Sequence, residues 1–594
     1  MLKNLLIVLI ILISYTPCES AESTTSDIYI RNFTPDEYHA SSQNWAVVQD
    51  RRGIMYFGNS DGILEFDGNT WHLITLPDSS GVHCLELDEK GRIYVGGEGE
   101  IGFLAPGVEG SMDYISFRDK IPEAFQHSSD EIFSIQFTSE GIVFLADKLM
   151  YILQNDRINV IESEDYYFSA VCIDNSLNVI DGAKGLLHLK NGILEPKLES
   201  GDFRSYLMLP YINDKIIIVL PDGRIVTHDG KDDQFGLESF SALPELDLGI
   251  FMGLEIKSAA LLSNNCIAFG TIKNGCFILD SSGEIKYHLK QSNGLVSDNV
   301  LALSTDDKGN IWLCSGDGIS FINLDCASGF SNQSDRDVSN QDTSGISGRS
   351  KAIFTTVIRQ IVSTKYDSLI FGGAYYKTVG GVQVLEQADL LLGVFPFDDN
   401  AFRISYSSTY YKDIEKIEYQ TYLEGLEDDW LKWSNRTRRE FTNLYWGDYT
   451  FHVRARNANG DISAEATYSF TIKTPWFEAW WFYASQIAFI LTLLFISGYL
   501  SRYGKAQKLS DSLTNIVVII IFKYTIVLMG PFLGVFSAGI GFFKVIMNVA
   551  LAFVLLPSQK FIRKQLKRIV QKELQNTLRK KLKNRELGPG RHKK

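Results

Sequence analysis

Residues 300–321 read VLALSTDDKGNIWLCSGDGISF, and the same grammar appears at 45–66 (WAVVQDRRGIMYFGNSDGILEF) and 82–104 (VHCLELDEKGRIYVGGEGEIGFL). Each stretch opens with an alternating apolar strand and a polar turn ending in glycine (Gly53, Gly91, Gly309). A second strand carrying an aromatic follows, then another glycine turn (Gly62, Gly99, Gly318) and a third strand. Period-two alternation broken by Gly, Asp and Asn is the signature of β-strands and hairpins. Weaker copies at 132–152, 168–187, 215–228 and 256–279 raise the count to seven. A repeat of about 40 residues matches a propeller blade of four short antiparallel strands. A seven-bladed β-propeller is therefore expected over 41–323, each blade burying its faces against its neighbours.

Beyond it, 324–350 (LDCASGFSNQSDRDVSNQDTSGISGRS) has almost no aliphatic side chains and reads as a flexible linker. Strand patterning returns over 351–474, in FRISY (402–406), IEYQTYL (417–423) and YTFHVRA (449–455). That length of short strands predicts an Ig-like β-sandwich.

The two ends set the compartment. Residues 1–20, MLKNLLIVLIILISYTPCES, have the basic start, apolar run and small-residue boundary of a secretory signal peptide. Near the other end, 480–500 is uncharged and long enough to cross a hydrocarbon core of about 30 Å. Trp476, Trp480 and Trp481 cluster at its first end, where amphipathic rings favour the headgroup layer, and Arg502, Lys505 and Lys508 follow it. Further spans are expected at 516–536 and 539–556, Lys523 in the former lying close enough to its end to snorkel. The chain carries a formal charge of −14, which argues against a general nucleic-acid binder. The average hides a split. Residues 558–594 hold fourteen Lys/Arg against Glu573 and Glu586, a basic tail of +12 that leaves −26 for residues 1–557. By the positive-inside rule, three crossings place the body outside and the tail in the cytoplasm. Ile562, Leu566, Ile569, Val570, Leu574, Leu578 and Leu582 recur at helical steps in that tail. This reads as a basic amphipathic helix on the anionic leaflet, as a short coiled coil, or as a topology signal alone. The fold class is thus an all-β extracytoplasmic region, propeller plus Ig-like sandwich, followed by α-helical transmembrane segments.

With these residues in view, the repeats from Asp50 to Trp71 and the stretch NGLVSDNVLALSTDDKGNIWLCSGDGI resemble the regulator-propeller repeats of bacterial sensors. The stretch from Tyr419 to Gly460 is similar to the triple-tyrosine domain that follows such repeats in Bacteroidetes two-component and one-component sensors. Tyr422 and Tyr449 match its tyrosine positions, and Phe441 stands where a third tyrosine is usual. The resemblance implies a sensor in the bacterial inner membrane, with its head in the periplasm and its tail in the cytoplasm. In such sensors the propeller region takes the signal, often an oligosaccharide, and the triple-tyrosine domain passes the change to a membrane helix. The usual kinase or DNA-binding output is not expected in the residues after the last span, so a separate output partner and a homodimer are implied.

Chemistry is sparse. Gly97-x-Gly99-x-x-Gly102 lacks the strand–helix context of a dinucleotide site. The histidines show no paired metal spacing, and neither a nucleophile elbow nor HExxH is present. No catalytic residue, metal or cofactor is expected. Trp45, Trp71 and Trp312 are the candidate sugar-stacking residues, with core packing as the alternative for each. Cys266 and Cys276 are placed to face each other across a hairpin, where a disulfide is one possibility and small buried hydrophobes the other. Two further functional readings stay open: an exported propeller lyase or hydrolase tethered to the membrane, and a sensor remnant that lost its kinase.

Overall fold

The computed structural model describes residues 28–324, 354–500 and 507–536, with breaks at 174, 199–206, 211–214, 221–224, 230–240, 243–252, 263–265, 281–282, 380–381 and 387–392, and scattered positions between 561 and 579. The signal peptide, nearly all of the linker, the third span and most of the tail fall outside the described residues. The chain divides into two compact units, Met1–Lys473 and Thr474–Lys594.

The larger unit is almost wholly β. Seven four-stranded antiparallel sheets succeed one another, six of them built from strands consecutive in the chain. The first strands of the seven are Asn44–Gln49, Val82–Leu87, Ile132–Thr138, Tyr167–Ile173, Leu207–Pro210, Ile256–Leu261 and Val300–Thr305. Each packs on the first strand of the next sheet, and Val300–Thr305 packs back on Asn44–Gln49, so the seven form a closed ring. The last sheet borrows its outer strand from the start of the chain. Ile28–Phe33, ahead of the expected boundary at residue 41, pairs antiparallel with Ile319–Leu324.

The glycine turns explain themselves chemically. In Asp50-x-x-Gly53, Asp88-x-x-Gly91 and Asp306-x-x-Gly309, the glycine N–H donates to the aspartate carbonyl at 3.0 Å. The same aspartate's Oδ1 accepts from the residues two and four positions on. The glycines sit at φ 87°, 85° and 78°, a region a side chain enters only with strain. Local turn chemistry therefore writes the repeat into the sequence.

After the ring come two more four-stranded sheets, packed face to face. One contains Ser368–Phe371, Thr356–Ser363, Phe402–Ser408 and Arg438–Phe441; the other Gly393–Phe395, Ala466–Ile472, Gly447–Arg456 and Glu418–Glu424. Their inner faces share one core that includes Ile404, Phe441, Phe451, Val453 and Phe470. Tyr449 lies in this core and donates its hydroxyl to the Tyr445 carbonyl at 3.0 Å, four residues upstream. Such a backward bond ties the start of this strand to the turn that precedes it and braces a corner of the sandwich.

Ring and sandwich are joined by buried charge. Arg359 of the sandwich reaches Asp67 of the ring (Nε–Oδ2 2.8 Å) and also pairs with Glu65. Nearby, Arg52 is held by Asp50 at 2.7 Å and by the Tyr56 hydroxyl, and donates to the Gly373 carbonyl of the sandwich at 3.0 Å. Burial alone would raise the Glu65 carboxyl; the guanidinium groups of Arg359 and Arg52 outweigh it and hold it below the usual range. Backbone adds to the seam, since Gly372 and Ala374 donate to the carbonyls of Glu109 and Gly110. Tyr411 goes further and enters the ring's aromatic core beside Phe66, Trp312 and Phe321.

In the smaller unit, helix α1 spans Trp480–Leu500 and helix α2 Gln507–Phe536. Among the described residues, α1 is the one helix long and apolar enough to cross a membrane. Trp480 and Trp481 lie exposed at its first end and Trp476 just before it. The expected second span, 516–536, lies inside α2. The two helices meet through buried hydroxyls: Ser497 Oγ lies 2.7 Å from Thr514 Oγ1 and 3.0 Å from the Ser510 carbonyl.

Candidate functional site

Six of the seven innermost strands carry a register irregularity at the same step. Asn44 and Ala46 face consecutive residues of the neighbouring strand, and so do Val82 and Cys84, Ile132 and Ser134, Tyr167 and Ser169, Ile256 and Ser258, and Val300 and Ala302. One residue is therefore extra on each strand: Trp45, His83, Phe133, Phe168, Lys257 and Leu301. The residue before each is buried, and the extra one reaches solvent in part or fully. A bulge re-aims a side chain out of the alternation. Repeated near the start of each innermost strand, it gathers two Phe, a Trp, a His, a Lys and a Leu around one end of the ring. In the fifth sheet, the remaining one, the residues just ahead of Leu207 lie outside the described set.

The turns after the second strands line the same end. The Ser60 and Glu98 N–H groups donate to the carbonyls of Gln43 and Gly81, two residues ahead of the bulged Trp45 and His83. Trp45 is fixed by a 3.1 Å bond from its indole N–H to Ser60 Oγ, and its ring lies 4.9 Å from that of His83. His83 in turn meets Glu98 (Nε2–Oε1 3.4 Å) and Glu131 (Nδ1–Oε2 3.9 Å). No spacing in the sequence announces this trio, because it assembles across two adjacent sheets. The turns that dock the sandwich, around Gly53 and Lys308, follow the first strands and so occupy the opposite end of the ring.

The three sequence-derived tryptophans thus part company. Trp45 is half-buried at the bulge end. Trp71 stacks on Phe66 at 4.1 Å and also touches Phe33 and Tyr38, which makes it part of the wall of the ring's aromatic core. Trp312 is 0% exposed, walled by Phe33, Phe57, Phe321 and Tyr411, with its indole N–H on Asp306 Oδ2 at 3.3 Å. It is a core residue, not a ligand contact: the second strand of its sheet is buried along its whole length. Of the triple-tyrosine positions, Tyr449 and Phe441 are core residues, and Phe441 meets Phe451 edge-on without needing a hydroxyl. Tyr422 faces outward beside Trp430 and His452, on a sheet face where Arg454 covers Trp430 at 4.2 Å. Of the two readings of Cys266 and Cys276, the disulfide fails on register. Cys276 pairs with Gly270 and Ile267 with Leu279, which carries Cys266 to the far end of the hairpin.

One carboxyl lies deeper. Three residues after His83, Glu86 is open to water yet ringed by protein, with neutral Val48, Gln136, Val171, Ala260 and Ser304 at the matching positions of the other described strands. Burial pushes its carboxyl up to about 7. A raised carboxyl is stabilising below its unfolded value and loses that advantage as pH rises through the folded one. Glu86→Gln should therefore leave stability unchanged below pH of about 4 and raise it by about 1 kcal/mol near pH 8, a figure discounted for the water that reaches the group. Denaturant titrations of both proteins at the two pH values measure it.

Residues 411–473 match the family model described as Y_Y_Y domain. This chain carries a Y_Y_Y domain. The resemblance to the triple-tyrosine domain read from Tyr419–Gly460 agrees with that match, and Tyr411, whose ring enters the propeller-side aromatic core, is its first residue. A search of curated proteins finds no match. Among solved structures, one similar to this chain is an extracellular domain whose description assigns it to a hybrid two component system of B. thetaiotaomicron. It has 13% identity and a TM-score of 0.40, and the match covers 76% of this chain and 59% of that one. A second such domain from B. thetaiotaomicron has 12% identity and a TM-score of 0.26 over 75% of this chain and 100% of that one. A streptogramin B lyase has 16% identity and a TM-score of 0.39 over 50% of this chain and 98% of its own.

Proposed function

We propose that this chain is a non-enzymatic, membrane-anchored receptor of a signal-transduction system in the bacterial inner membrane. Its periplasmic head is a seven-bladed propeller carrying an Ig-like Y_Y_Y domain, and its tail is cytoplasmic. The observation that carries the reading is the two-ended ring: half-exposed aromatic and polar bulge residues at one end, and at the other a Y_Y_Y domain locked on by buried ion pairs. A ligand that prefers one arrangement of the head biases a population, and a rigid joint passes that bias along the chain toward α1. An oligosaccharide suits the bulge end, where Trp45, Phe133 and Phe168 offer ring faces and Glu98 and Glu131 offer hydroxyl acceptors. A homodimer and a separate output protein complete the path.

The test is thermal-shift screening of the full chain in detergent against oligosaccharides. A stabilising sugar that is recovered intact supports the receptor, and Trp45→Ala should weaken it about tenfold, the worth of one aromatic contact. Recovery of cleaved sugar would replace the receptor by the tethered-enzyme reading.

A further inference from the structure

We infer that His83, Glu98 and Glu131 form a binding site for a divalent cation of the zinc type at the bulge end of the ring. One ligand atom from each lies within 4.8 Å of the others, and among the described residues no other group of three His, Cys, Asp or Glu converges in this way. Around a tetrahedral zinc with bonds near 2.1 Å, neighbouring ligand atoms are about 3.4 Å apart. His83 Nε2 is already 3.4 Å from Glu98 Oε1, whereas Glu131 Oε2 stands 3.9 Å from the other ring nitrogen, Nδ1, so one imidazole nitrogen serves the cation and the exposed Glu131 carboxylate swings toward it. One imidazole and two carboxylates make a borderline donor set, and three protein ligands leave a fourth position open to the mouth of the ring.

Two features of the scaffold favour a cation over a lone charged histidine. Glu98 and Glu131 face each other across an antiparallel bridge, where like charges repel. The backbone nonetheless holds them there, through bonds from Glu98 N–H to the Gly81 carbonyl and from Gly99 N–H to the Asp130 carbonyl. Trp45, anchored on Ser60, lies against the imidazole on its third side. His452 supplies the internal contrast: it too contacts two glutamates, Glu424 and Glu465, but that trio does not converge within the same distance. The site stands on ligand geometry and does not depend on the receptor reading.

The experiment uses the untagged full chain in detergent, stripped with EDTA, equilibrated with zinc chloride and desalted. Metal content is then read by mass spectrometry, and affinity by competition with a chromophoric chelator. Wild type should retain one more zinc per chain than His83→Ala and than the double variant Glu98→Gln/Glu131→Gln, and His452→Ala should match wild type. The Glu98 and Glu131 side chains are exposed and that of His83 is largely buried, so unchanged far-ultraviolet circular dichroism certifies each variant's fold, and the double glutamate variant tests the site without touching the histidine. Equal zinc in wild type and His83→Ala overturns the site, as does a loss in His452→Ala equal to that in His83→Ala. No sugar is present, so the outcome is separate from whether the receptor reading holds.

Discussion

Arg359→Met will lower the unfolding free energy of the head by about 3–5 kcal/mol, the cost of removing one partner from a buried ion pair. The side chains of Glu65 and Asp67 are only 4% and 2% exposed, against 14% for Arg359, so two carboxylates lose their counter-charge with little water to replace it. The methionine fills the stem's volume, which isolates charge from packing. Denaturant titration of the full chain in detergent at pH 7 reads the loss directly. Its pH dependence is a second check. The Glu65 carboxyl is held below its usual range, so the stability it contributes is present above the unfolded value and is lost as pH falls through the folded one. The gap between wild type and variant should therefore narrow below pH of about 4. A gap that stays constant into acid would mean that packing, not charge, holds the seam.

The second large effect is at Tyr411. Its ring is buried among Phe66, Trp312 and Phe321, and its hydroxyl donates to the Gly53 carbonyl at 2.5 Å. Tyr411→Ala should cost about 3–5 kcal/mol, the range for emptying an aromatic site in a packed core. Tyr411→Phe should cost only about 1 kcal/mol, the net worth of one hydrogen bond, since Gln49 still donates to that carbonyl. Because Tyr411 and Arg359 brace the same seam, the double variant Arg359→Met/Tyr411→Ala should be less destabilised than the two single losses added together. Limited proteolysis should then cut between ring and sandwich at protease levels that leave wild type intact. Full additivity would mean that the two residues hold separate structures.

The parts of this architecture written in local chemistry were legible in the sequence. Asp-x-x-Gly turns and alternating strands are set by neighbours in the chain, so the repeat and the all-β class of the body followed from reading along it. The corner bond of Tyr449 is equally local. What escaped was set by pairing between distant segments. A one-residue bulge leaves the apolar pattern of VHCLEL unchanged, so nothing in those letters turns His83 outward. Trp312 looked available because tryptophan suits sugar faces, but its strand is buried on both sides between neighbouring sheets. Arg359 and Glu65 belong to different domains, and their pairing has no linear signature. Ile28–Phe33 escaped for the same reason, its partner strand lying at the far end of the ring's sequence.

That borrowed strand makes the ring a buckle. Its tongue is the first described segment of the chain and its clasp, Ile319–Leu324, is among the last of the ring to be synthesised. No partial product carrying fewer sheets can fasten, so the tongue must wait, with its row of unsatisfied amides, until the clasp arrives. A nick just after Phe33 would leave every contact of the seventh sheet in place and sever only the covalent tie between that strand and the first sheet.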